Sequence, residues 1–251
     1  MAEKRRTVVI TGGGTGIGLA CAHAFASQGD QVFILGRRLD VLERAVAKQG
    51  KGNLIPIRAD VSSRVEIEAA LEEICSHTDA IDVLVNNAGF VEATLTTMPL
   101  EELEVAWDAV INTNLKGAFL MACATASYLV KPGGRIINVS SIAALTGGSR
   151  PGAIAYAAAK SGLHGMTFSL ARELSVEGIT VNVIAPGFIA ETEFTGAWPR
   201  ERVEQIVSQT PAGRPGQALD IAEAILFLAS SDASFITGEV MNVNGGWAFG
   251  R

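Results

Sequence analysis

The sequence predicts an α/β fold, a doubly wound parallel sheet of about seven strands with helices on both faces. Three observations carry that prediction. Short β-branched apolar runs alternate with helix-length spacers along the 251 residues, a glycine-rich turn follows the first run directly, and 48% of the residues are apolar. The last suits strands that are buried on both faces rather than half-solvated ones.

In chain order the runs fall at residues 7–10, 31–35, 53–57, 81–85, 135–139, 179–183 and 239–243. Each is short and rich in Val, Ile or Leu, and the spacers are long enough for a crossover helix. Right-handed crossovers then place ligands at the carboxyl ends of the strands. No repeat, low-complexity tract or linker interrupts the pattern, so one dinucleotide-binding and catalytic domain over residues 1–251 is expected. Two helical stretches, about 101–130 and 153–177, carry Ala, Gly and Ser on faces that a monomer would expose. Deep packing on the sheet and a helix–helix interface between subunits both account for them.

Composition excludes several partners. With 20 Lys and Arg against 26 Asp and Glu, the net charge of −6 offers no footprint for nucleic acid. Cys21, Cys75 and Cys123 lie far apart, and His23, His77 and His164 are scattered, so no metal site is expected and a reducing cytoplasm fits. The charged start leads into only Val8-Val9-Ile10, too short for an export signal. The longest apolar stretch, residues 117–130, falls short of the roughly 18 residues needed to cross a bilayer. The chain is therefore read as soluble, with no membrane partner.

The turn Thr11-Gly12-Gly13-Gly14-Thr15-Gly16-Ile17-Gly18 separates the first run from a helix expected over 19–27. Glycines here let the backbone turn tightly and approach a pyrophosphate, while free N–H groups at the helix start face the anion. The glycines are spaced GxxxGxG, and no GK[ST] follows, which excludes a Walker-type site. The second run ends in Leu35-Gly36-Arg37-Arg38. An acidic residue at that place binds a ribose 2′-hydroxyl, whereas arginine accommodates a 2′-phosphate, so NADP is expected over NAD. A local role for the two arginines, with Asp40 as partner, stays open. Thr15 is neutral where a second cationic phosphate contact could stand.

Tyr156-Ala157-Ala158-Ala159-Lys160 lies in a helical pattern, which puts phenol and ammonium on one face. Ser141 ends the strand run 135–139 at the edge where a ligand binds. A nearby cation favours the phenolate, so Tyr156 is expected to exchange a proton with a carbonyl or alcohol oxygen that Ser141 polarises, while nicotinamide exchanges hydride with carbon. Lys160 would serve both Tyr156 and the ribose hydroxyls.

Taken together and in order, the 11–18 turn, Asn86-Asn87-Ala88-Gly89, Asn114 within Asn112-Thr113-Asn114-Leu115-Lys116-Gly117, Ser141, Tyr156 with Lys160, and Pro186-Gly187 resemble the motif series of short-chain dehydrogenases/reductases, from residue 7 to about 246. The resemblance implies a Rossmann-like fold and a homotetramer acting on a small-molecule ketone or alcohol. It also implies that Asn114 is a fourth catalytic member, holding a water that relays protons to Lys160. Gly12, Thr15, Gly16, Ile17 and Gly18 would cradle the cofactor phosphates, and Asp60 and Val61 would flank the adenine. Asn87, Ala88 and Gly89 would pass beneath the cofactor, and Pro186, Gly187 and Ile189 would border the nicotinamide. The overall pattern is similar to 3-oxoacyl-carrier-protein reductases, which is one alternative; a regulator that binds NADP without turnover is another. Two departures stand out. The 141–156 segment is about two residues longer than is common, through Gly147-Gly148-Ser149-Arg150-Pro151-Gly152. The threonine expected after Pro186-Gly187-Phe188-Ile189 comes one position late, at Thr192. Residues 188–209, with Trp198, are expected to form a mobile cover over the substrate.

Overall fold

Each of the expected runs forms a strand: β1 Thr7–Thr11, β2 Gln31–Gly36, β3 Leu54–Arg58, β4 Val83–Asn86, β5 Arg135–Val139, β6 Thr180–Pro186 and β7 Val240–Val243. The computed structural model describes residues 5–249 apart from Lys51, Arg150 and Ala197. Residues 1–4 of the charged start, and Arg150 of the lengthened segment, thus lie outside the described residues.

The strands pair in the order β3-β2-β1-β4-β5-β6-β7, every neighbour parallel. β1, β5 and β6 are buried along their whole length, because helices cover both faces. Alternate residues of one strand serve opposite cores. Val8 and Ile10 pack with Phe25, Ile221 and Ile225 on one face, while Val9 packs with Ile67, Ile74 and Met121 on the other. The helices on the first face are α1 Gly16–Ser27, α2 Leu39–Gln49 and the later Ala218–Leu228, which meets α1; α3 Arg64–His77 lies on the second. Strand order reverses between β1 and β4, which opens a crevice above their carboxyl ends.

The first helix starts at Gly16, three residues earlier than 19–27 predicts, so two of the turn's glycines belong to its first turn. The stretch 101–130 is not one helix. It divides into α4 Leu100–Ile111, a π-helical turn Asn112–Lys116, and α5 Gly117–Thr125. After a short α6, Ala143–Thr146, the stretch 153–177 is α7 Ile154–Leu174 followed by a 3-10 turn Ser175–Glu177. A buried polar chain fixes α7 against the sheet. Asn86 Nδ2 donates to Asn138 Oδ1 (2.9 Å) and to the Ala118 carbonyl (3.2 Å), and Asn138 Nδ2 donates to Thr167 Oγ1 (2.9 Å). Such a chain sets register, because breaking one link strands a partner away from water. α8 Arg200–Ser208 lies within the expected cover, and α9 Ala218–Leu228 precedes β7. Among the described residues no helix is long and apolar enough to cross a membrane.

Candidate active site

A cleft of about 960 Å³ runs along the carboxyl ends of the strands. Its phosphate end is made of backbone. Gly12 sits at φ +65°, and a side chain there would meet Asn87 Nδ2 at 2.9 Å; one on Gly18 would strike the Gly12 carbonyl oxygen at 2.2 Å. Thr11 Oγ1 accepts the Asn87 and Ala88 N–H groups (3.0 Å each), and Asn87 Nδ2 donates to the Thr11 and Gly12 carbonyls (3.0 and 3.1 Å). Asn87 therefore braces the turn through its side chain. Thr15, the N-cap of α1, makes no capping hydrogen bond, and no acidic residue stands in the first turn. The N–H groups at this helix start suit an anion, and the close-packed backbone leaves room for a pyrophosphate where side chains would otherwise stand.

Further along, Arg37 and Arg38 line the cleft beyond β2, and Asp60 and Val61 line it beyond β3. Asp60 Oδ1 accepts from Ser62 N and Oγ (2.9 and 2.8 Å), which holds its carboxylate on the wall. Arg38 does not pair with Asp40. Asp40 bonds Arg44 one turn on, and Arg38 Nη2 donates to both oxygens of Glu193 (2.7 and 2.8 Å).

At the other end, Ser141, Tyr156 and Lys160 converge on the same cleft. Lys160 is buried and its Nζ donates to the Val139 carbonyl (2.7 Å), 5.7 Å from the centre of the Tyr156 ring. Ser141 Oγ accepts the Ala143 N–H (3.1 Å), leaving its own O–H to donate. Ser140 is the buried neighbour: its hydroxyl donates to the Lys160 carbonyl (2.9 Å) and lies 2.9 Å from His164 Nε2. Because that single proton goes to a carbonyl, which cannot donate, His164 Nε2 must carry hydrogen. Just beyond β5, two adjacent serines thus part ways: the hydroxyl of Ser140 is tied to α7, whereas that of Ser141 is left to the cleft.

Burial governs the charges here. It raises the Tyr156 phenol above its ordinary value, and the hydrogen bond from Ser141 opposes this only in part. Lys160 is pushed down to about 8 by the same cause. The expectation that a cation would make the phenol acidic is thereby corrected. Loss of water outweighs an ammonium that aims at Val139 and stands across the ring. Burial also lowers His164.

Of the residues anticipated from sequence, Gly18 and Asn114 are the two that do not line the cleft. Gly18 lies beneath the turn. Asn114, buried in the π-helical turn, accepts the Phe90 N–H at Oδ1 (3.0 Å) and donates to the Phe90 carbonyl through Nδ2 (2.8 Å). Its carboxamide is thus committed to the backbone. Pro186, Gly187 and Ile189 line the far wall, and the Gly187 N–H donates to Val243 (3.0 Å).

Sequence reading missed how the 188–209 segment enters the cleft. Glu191 has a left-handed backbone, φ +57°, at the extra position, and Thr192 comes to stand over Gly16. Phe194 packs at 6.3 Å, centre to centre, against Tyr156. Trp198 stacks on Phe188 (5.3 Å) under the Arg202 guanidinium (3.4 Å), and Arg202 reaches Ser149 Oγ (3.3 Å) in the lengthened segment. The cover and the lengthened segment therefore touch each other at one rim of the cleft. An acidic residue beside a late threonine was the available signal, but sequence alone gives no reach.

Residues 12–248 match the family model described as Enoyl-(Acyl carrier protein) reductase. The chain is 40% identical over 245 residues to the 3-oxoacyl-[acyl-carrier-protein] reductase FabG of Thermotoga maritima, covering 96% of this chain and 97% of that one. It is 39% identical to the enzyme of the same name from Escherichia coli (strain K12), with 96% of each covered. A crystal structure titled as a short-chain dehydrogenase/reductase, glucose/ribitol dehydrogenase, from Brucella melitensis superimposes with a TM-score of 0.90 at 33% identity, over 98% of this chain and 97% of that one.

Proposed function

The chain belongs to the short-chain dehydrogenase/reductase family, and on that footing we propose that it transfers hydride between NADP(H) and a ketone or secondary alcohol, with Tyr156 trading the proton. One observation carries this reading. Tyr156, Ser141 and Lys160 meet at one end of a cleft whose other end offers a bare-backbone phosphate turn and two arginines.

When bound, the nicotinamide supplies or accepts the hydride. Ser141, its oxygen accepting the Ala143 N–H, turns its single O–H from Tyr156 to the substrate oxygen. The raised phenol of Tyr156 is protonated at neutral pH, so it acts as the acid in ketone reduction. Lys160, with an ammonium near its midpoint at about 8, stabilises the phenolate left behind and can return a proton to it. Asn114 holds Phe90 and the π-helical turn in place beside Lys160. Arg37 and Arg38 support NADP over NAD. Replacing the phenol hydroxyl (Tyr156→Phe) should lower turnover by about 10²- to 10⁴-fold while NADPH still binds. Undiminished rates would overturn the assignment, and NADPH binding with no turnover of any ketone by the unaltered protein would point to a cofactor-sensing regulator instead.

A second reading, reduction of a carrier-bound 3-oxoacyl thioester, draws on the named relatives. Glu173 at the end of α7 would disfavour an acidic carrier there, while Glu177, in the 3-10 turn that follows, is paired with Lys131. Comparing a 3-oxoacyl thioester with free ketones decides between them. Exposed Val105, Trp107, Phe119 and Phe168 on α4, α5 and α7 support the homotetramer, and three free cysteines support a reducing cytoplasm.

A further inference from the structure

The segment after β6 crosses the whole cleft in three consecutive residues. Thr192 stands over the phosphate turn at Gly16, Glu193 grips Arg38, and Phe194 lies on the catalytic ring of Tyr156. Arg37, by contrast, makes no ion pair among the described residues. Glu193 thus places a carboxylate on a guanidinium that would otherwise meet the 2′-phosphate.

We propose that Glu193 is a coenzyme-selectivity residue: its carboxylate competes with the 2′-phosphate for Arg38 and so holds down the preference for NADP(H). The inference rests on the NADP reading of Arg38. A phosphate carries more charge and more acceptor oxygens than a carboxylate, so it displaces Glu193 from the guanidinium. The displaced carboxylate then stands next to a like charge. NAD(H) meets no such conflict, since a 2′-hydroxyl can donate to the carboxylate while the Glu193–Arg38 pair persists. The left-handed Glu191 aims the segment, and both partners are solvent-exposed, Arg38 at 59% and Glu193 at 53%. Exposure keeps the competition small, reversible and sensitive to salt.

The test is a set of fluorescence titrations with NADPH and NADH on the intact protein, on Glu193→Gln, on Arg38→Gln and on the double variant, at low salt. Glu193→Gln should raise the ratio of NADPH to NADH affinity by about two- to fivefold, the range of an exposed ion pair. No rise, or a fall, overturns the proposal. Arg38→Gln should lower the ratio by more than that; an unchanged ratio there would defeat the NADP reading itself, which separates the two failures. In the double variant the gain from Glu193→Gln should vanish. A gain that persists without Arg38 would show that Glu193 acts by charge repulsion alone, and competition for the guanidinium would be wrong.

Discussion

Around Gly12 and Gly18 the cleft is built by leaving side chains out, whereas around Tyr156 and Lys160 it is built by burying them. The phosphate turn offers N–H groups and a carbonyl framework with no space for a methyl group at Gly12, Gly13 or Gly18, and it holds no titrating side chain. The catalytic end consists of a crowded phenol, an ammonium lowered to about 8 and a paired serine. The first end is therefore intolerant of added volume and indifferent to pH. The second accepts changes of shape but is governed by protonation.

The contrast can be broken most forcefully at Lys160. Lys160→Met should cut turnover by about 10²- to 10⁴-fold, yet below pH 8 it should raise the melting temperature. The folded-state value of about 8 lies under the ordinary 10.5, so burying the charged form costs stability at neutral pH. Removing it gains on the order of 1 kcal/mol after the loss of the Val139 hydrogen bond. That advantage should close between pH 8 and 10.5, where the native protein has shed the proton and the unfolded chain still holds it. Melting curves across this range check the sign, and a variant less stable throughout would refute it.

Gly18→Ala probes the other end. Its methyl group would lie 2.2 Å from the Gly12 oxygen, so the turn must shift, at a cost of about 1–3 kcal/mol with a matching collapse of NADPH affinity. Thermal unfolding and nucleotide titration should both register it, with no change in pH dependence. A smaller effect separates the ends in the unaltered protein. Ketone reduction at saturating NADPH should fall as pH rises through about 8, because Lys160 loses its proton there, while NADPH affinity at the phosphate turn stays level. Parallel losses would merge the two regions. Smallest is Gln217→Ala. It removes one side of the capping box at the start of α9, which packs on α1, and should cost about 0.5–1 kcal/mol without altering either end.

Much of this was legible in the residues. Strands buried on both faces announce themselves as short apolar runs, and all of them form. The turn, the two arginines and the Tyr156–Lys160 spacing stood in plain order. The π-helical turn at Asn112–Lys116 was not legible. Its sequence is compatible with a continuous helix, and the carboxamide of Asn114 meets Phe90 only after residues 24 apart are folded together. The different fates of the adjacent Ser140 and Ser141 were equally hidden, since both follow β5 and only their contacts with α7 and with Ala143 tell them apart.

Sequence by itself determined which backbone segments form strands, where the cleft opens and which chemical groups border it, because periodicity and glycine placement are local properties of the chain. Tertiary structure alone decided the charge state of those groups and the reach of Glu193 to Arg38, 155 residues away. Desolvation and long-range ion pairing depend on what surrounds a group in space, and no local pattern encodes that.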